Sequence, residues 1–201
     1  MLTGKESLRE VAMKIRAFFS AALLSVILLG CSTTGTVYSE NMEQGKRMLK
    51  KNQFQEALDH FKLAVQISPD VDAYSYAAIA TFKIGDLAHA TQYLKEAEKR
   101  DGRSSAYLRI VGYEALIALK PGTTKAGLDA LRNYIEVYRH SDPLMNIEDV
   151  EGMWRSGKID FSILEKLMNE QITTYDNDVE DYLKNRGGWY GEKYRPLVPG
   201  G

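Results

Sequence analysis

Four positions of the stretch Phe54–Pro69, FQEALDHFKLAVQISP, return thirty-three residues later, and that repetition limits what the chain can fold into. Phe54, Ala57, Phe61 and Ala64 are matched by Leu87, Ala90, Leu94 and Ala97 in DLAHATQYLKEAEK. Apolar residues three and four apart share one helix face, the small alanines make that face narrow enough to enter a groove, and Pro69 ends the first helix. A helix of this kind needs a neighbour. A chain that repeats it stacks units side by side instead of closing one core, and 201 residues with 44% hydrophobic content suffice for a short stack.

Each unit reads as two helices. In the first, Gly45 and Met48 lie on the earlier helix, Asn52 makes the turn, and Phe54 to Pro69 is the later helix. In the second, Tyr74, Ala77 and Ala78 open the earlier helix, Gly85-Asp86 make the turn, and Asp101-Gly102 stands at the end in place of a proline. A third unit follows if its helices are aligned separately: Gly112 lies 34 residues after Ala78, whereas Gly127, Leu131 and Tyr134 lie 37 after Ala90, Leu94 and Ala97. The extra residues fall in the turn Lys120-Pro121-Gly122-Thr123-Thr124. Tyr134, where a small residue is usual, implies a looser or differently tilted fit. This pattern resembles the tetratricopeptide repeat (TPR), a helix–turn–helix unit of 34 residues.

Before the repeats, Lys14 and Arg16 precede the apolar run Ala17–Leu29. As a helix that run is about 20 Å long, short of a bilayer core of roughly 30 Å, so a secretory signal is favoured over a membrane span. Leu28-Leu29-Gly30-Cys31 resembles a bacterial lipobox, which implies lipidation of Cys31 and cleavage before it; an ordinary signal peptide with an incidental cysteine, or an uncleaved anchor, is the alternative. Glu6 and Glu10 fit poorly in a positive leader, and Met13 opens a compact MKIRAFF start. Acyl chains contributing about 0.8 kcal/mol per buried CH₂ would hold the mature chain at a membrane without spanning it. Ser32 after the cysteine, where the retention signal of enteric bacteria has an aspartate, implies the periplasmic face of the outer membrane.

After the repeats, Ser141-Asp142-Pro143 reads as a cap with proline at the first helical position. Leu144, Ile147, Val150 and Trp154 continue helically to Ser156-Gly157, and Asp160 precedes the stripe Phe161, Leu164, Met168, Ile172, Tyr175. These helices are expected to cover the last repeat's open face, with Trp154 and Phe161 in capping roles. Asp176 to Asp181 reads as a solvated acidic loop and only briefly resembles a calcium loop. GGWYGEKYRPLVPGG is expected to be an extended tail, its Trp189, Tyr190 and Tyr194 forming a contact site or docking on the protein's own surface.

The expected architecture is therefore all-α: residues 1–30 a lipoprotein signal peptide, 31–37 a lipidated tether, 38–140 a short TPR-type solenoid (about 38–70, 71–103 and 104–140), 141–186 a helical cap and 187–201 the tail. A net charge of −1 gives no reason to expect nucleic acid. His60, His89 and His140 form no metal-ligand pair or nucleophile–base constellation, so the chain is read as a non-enzyme without cofactor or metal. Solenoids bind through the concave face of the earlier helices. Here that face is expected to hold Met42, Lys46, Leu49 and Lys50, then Ser75, Ile79, Phe82 and Lys83, then Arg109, Tyr113 and Leu116. Its charges are mostly positive, which suits an extended segment bearing apolar side chains and carboxylates; a solvated face over buried aromatics is the competing reading. Residues 148–181, net −7, could occupy the same groove from within. The chain is thus expected to be a membrane-anchored interaction scaffold or assembly factor for an envelope protein or peptide, with a regulator of a cell-wall enzyme, or a glycan- or small-ligand-binding protein, as alternatives.

Overall fold

A computed structural model describes residues 35–100, 104–141 and 143–185. The lipobox-like segment with Cys31, the Asp101-Gly102 pair, Asp142 and the aromatic tail lie outside the described residues. Every described element is helical: α1 over residues 35–50, α2 Phe54–Ile67, α3 Val71–Ile84, α4 Leu87–Glu98, α5 Tyr107–Leu119, α6 Lys125–Tyr138, α7 Ile147–Ser156 and α8 Phe161–Asn185. Residues 35–37, expected in the tether, already belong to α1.

Short connections force consecutive helices to pack side by side. Asn52 turns the chain in the left-handed conformation (φ +59°) and Gly85 does the same at φ +97°. Asp70, Asp86 and Thr124 then cap α3, α4 and α6 by accepting from the backbone N–H three residues on, satisfying donors that a helix start leaves free. The repeated positions form the contact between helices: Ala57, Phe61, Ala64, Ala90, Leu94 and Ala97 are all buried. A Cβ on Gly45 would meet the Phe61 ring at 2.5 Å, so only glycine lets α1 approach α2 this closely.

Tyr134 does not loosen the third pair. Its ring is fully buried and stacks on Tyr138 with centroids 5.8 Å apart. The space comes from Gly112, where a Cβ would lie 3.1 Å from the Tyr134 ring and 2.6 Å from Ile172 on α8. One glycine thus admits both the bulky ring and the last helix.

Helix α7 starts four residues later than the proline suggested. The Tyr138 hydroxyl accepts from the Met145 N–H at 2.7 Å and lies 3.2 Å from the Pro143 carbonyl, which holds 143–146 as a bend; Asn146 (φ +50°) precedes α7. Gly157 ends α7, and Asp160 starts α8 by accepting from the Ile163 N–H.

Among the described residues, α8 is the longest helix, with 25 residues. Asp176 to Asp181, expected as a solvated loop, is helical within it. Its stripe Leu164, Met168, Ile172, Tyr175, Val179 and Tyr182 is buried; at about 1.5–3 kcal/mol per fully buried side chain, such a face contributes on the order of 10 kcal/mol. With α7 packed on α6, the helix covers α5, where Ile172 meets Gly112, and it also runs on across α3 and α1, where Asp176 meets Tyr76 and Glu180 meets Lys46. Gln171 is buried too, donating to the Met145 carbonyl at 2.6 Å and accepting from the Tyr134 hydroxyl at 2.8 Å. No described helix is long and apolar enough to cross a membrane.

Candidate functional site: a cleft beside α8

One face of α8 carries Glu165, Asn169, Asp176 and Glu180, spaced by four, seven and four residues, which keeps all four on one side of a helix. Each meets a partner on an earlier helix. Glu165 pairs with Lys83 at 2.6 Å and with Lys120 at 3.6 Å, and Asn169 accepts from the Tyr113 hydroxyl at 2.6 Å. Asp176 accepts from Arg109 at 2.7 Å and from the Tyr76 hydroxyl at 3.1 Å, and Glu180 pairs with Lys46. The order of partners makes α8 antiparallel to α3 and α5.

Arg109 is the centre of this register. Its side chain is 3% exposed; it donates to Ser75 Oγ at 3.0 Å, to Asp176 and to Asp72, and lies 4.1 Å from the centre of the Tyr76 ring. Burial opposes its charge, but Asp176, Tyr76 and Asp72 outweigh burial and hold it protonated. Burial also pushes the Asp176 carboxyl above the usual carboxylate range, with Arg109 and Tyr76 offsetting only part of the rise. Burial raises the Tyr76 and Tyr113 phenols, so both remain hydrogen-bond donors at neutral pH. For Glu180, burial pulls upward and the Lys46 ammonium pulls further down, leaving it below its ordinary value.

The residues expected on the concave face divide into two groups. Met42, Ser75, Phe82, Arg109 and Leu116 are buried, out of reach of another molecule in this arrangement, and Arg109 is held from α8 by Asp176. Lys46, Leu49, Lys50, Ile79, Lys83 and Tyr113 line a cleft of about 310 Å³ between α8 and the earlier helices. Tyr76, Ile79 and Tyr113 contribute apolar surface to it, and Asn52, Asn169, Thr173 and Asn177 add amides and a hydroxyl. Lys46 and Lys83 are neutralised from α8, whereas Lys50 is exposed and makes no salt bridge among the described residues. A surface of cations, amides and aromatic carbon suits a guest with carboxylates and apolar side chains. Trp189, Tyr190 and Tyr194 lie outside the described residues, as does Cys31.

Tyr76 is not singled out by the sequence, and Asn169, Asp176 and Glu180 enter it only within the acidic region 148–181 that could occupy the groove, although the three share a helix face next to the apolar stripe. The histidines are placed locally: His60 Nδ1 is 3.0 Å from Asn41 Oδ1 and His89 Nδ1 is 2.6 Å from Asp86. Comparison with protein-family models, with curated proteins and with solved structures returns no match.

Proposed function

We propose that the chain is a short TPR-type solenoid, anchored to a bacterial envelope membrane through lipidated Cys31, that serves as an interaction scaffold or assembly factor for another envelope protein or peptide. The observation that carries this reading is the cleft: Lys50 stands uncompensated beside Lys46 and Lys83, next to Tyr76, Ile79 and Tyr113. The thirty-three-residue return of the packing positions and the glycine-mediated contact at Gly45 support the repeat assignment.

In cells, photo-reactive residues at Lys50, Lys83 and Trp189 should crosslink one reproducible envelope protein, with Lys99, on the exposed face of the second unit, as the control position. No specific capture at Lys50 or Lys83 would sink the scaffold reading. The anchor has its own test: Cys31→Ser should block processing or release the processed chain. Normal cleavage with unchanged membrane retention would contradict it.

A further inference from the structure

The two halves of α8 are held differently. The first half is embedded: Leu164 and Met168 are fully buried, Gln171 is bonded to α6 and to the α6–α7 connection, and Ile172 sits over Gly112. The second half buries Tyr175, Val179 and Tyr182 as well, and its polar contacts with α1, α3 and α5 are made through the tips of long side chains, Lys46–Glu180, Tyr76–Asp176 and Arg109–Asp176. Beside it runs the cleft, bordered by Thr173, Asp176, Asn177 and Glu180. Residues 173–185 hold four acids and one lysine, and two of the acids, Asp176 and Glu180, meet Arg109 and Lys46.

The occupant is also incomplete. Lys50 lies one helical turn beyond Lys46 on α1. Because α8 runs antiparallel to the repeat's earlier helices, a turn forward on α1 corresponds to about a turn backward from Glu180 on α8. That place holds Asn177, which lines the same cleft as Lys50. An amide there leaves the ammonium uncompensated where a carboxylate would pair with it.

We propose that residues 173–185 of α8 are a built-in, imperfect occupant of the groove, and that its external ligand is an acidic amphipathic helix that displaces them. The ligand sets apolar side chains where Tyr175, Val179 and Tyr182 lie and carboxylates where Asp176 and Glu180 lie, and it adds a third carboxylate at the position of Asn177. This rests on the scaffold reading and names its partner's chemistry. In the closed chain the apparent affinity for such a helix is lowered by the fraction of molecules that are open. The extra carboxylate on Lys50 is what lets a guest outcompete the chain's own helix.

The test uses the full chain and two fluorescein-labelled peptides, one with the sequence of residues 169–185 and one carrying Asn177→Glu. The first should bind the Glu180→Ala chain about twofold to fivefold more tightly than the unmodified chain, because the substitution removes the contact with Lys46. The second should bind that variant up to about fivefold more tightly again, and Lys50→Ala should abolish the difference. Asn177→Glu in the chain itself, which closes the groove without threatening the fold, should weaken binding of both peptides. Equal binding to the unmodified and Glu180→Ala chains, with matching circular dichroism and melting curves, overturns the proposal. So does a preference for the second peptide that survives Lys50→Ala. Capture at Lys50 of an envelope protein with no acidic helix would remove this ligand class and leave the scaffold standing. Peptide exchange as described, with no cellular capture, would do the reverse.

Discussion

Replacing Arg109 by methionine isolates the charge that ties α8 to the earlier helices. Methionine has comparable length and keeps the buried volume filled, but it removes the donors to Asp176, Asp72 and Ser75. Asp72, with its side chain 52% exposed, turns to water, whereas Asp176, 13% exposed, keeps only the Tyr76 hydroxyl. Breaking a buried pair by deleting one partner costs about 3–5 kcal/mol. For a chain of this size each kcal/mol moves the melting temperature by roughly 2–4 °C, so Arg109→Met should lower it by roughly 6–20 °C in differential scanning calorimetry. The sign with pH follows from Asp176. Its carboxyl is already raised by burial with Arg109 pulling it down, and losing Arg109 raises it further. A carboxyl raised in the folded state contributes its full stability below the unfolded value, near 4, and loses it as pH rises through the folded value. The deficit of Arg109→Met should therefore be small at about pH 3.5 and full at about pH 7. Adding Asp176→Leu removes the stranded carboxylate, and the double variant should recover at least half the loss, since an apolar replacement of a buried pair is often neutral or better. A single variant within about 1 kcal/mol of the parent, or a double variant less stable than the single, would show that Arg109 does not hold Asp176 as a buried pair.

Two glycine substitutions should move stability in opposite directions in urea titrations. Gly45→Ala gains helix propensity of about 1 kcal/mol, but its Cβ strikes Phe61, whose ring is stacked on Tyr76 at 5.4 Å and cannot yield, so overpacking of about 1–3 kcal/mol makes it destabilising. Gly152→Ala meets nothing within 4 Å in α7 and should stabilise by up to about 1 kcal/mol. A stabilised Gly45→Ala would contradict the close approach of α1 and α2. Tyr138→Phe removes the acceptor of the Met145 N–H and should cost about 1–2 kcal/mol, with that amide exchanging faster in hydrogen-exchange mass spectrometry; unchanged exchange would count against the bend at 143–146.

The helices of the first two units were legible because the information is local. Periodicity, Asn52, Gly85 and Pro69 fix helix, turn and stop within one unit. The third unit needed its helices aligned separately, and α6 does follow a longer turn. Pro143 misled because the group that governs it, the Tyr138 hydroxyl, belongs to the preceding helix and faces the bend only after folding. The acidic stretch at 176–181 misled for a similar reason at longer range. Six residues with four carboxylates read as solvated until Arg109, Tyr76 and Lys46, some 67 to 134 residues away, are placed beside them. Charge balance did raise the possibility that the acidic region lies in the basic groove. It could not separate the residues beneath α8 from those beside it, because that division depends on the register set by Gly112 under Ile172.

Helix α8 packs against α3 and α1 in the register Glu165 to Lys83 and Glu180 to Lys46. Zero-length carbodiimide crosslinking followed by peptide mass spectrometry tests it most directly, since it joins only amines and carboxylates already in contact. Isopeptide links Lys83–Glu165 and Lys46–Glu180 are expected within one chain, the second lost in Glu180→Gln. Links from Lys46 and Lys83 to other carboxylates, or to none on α8, would contradict it.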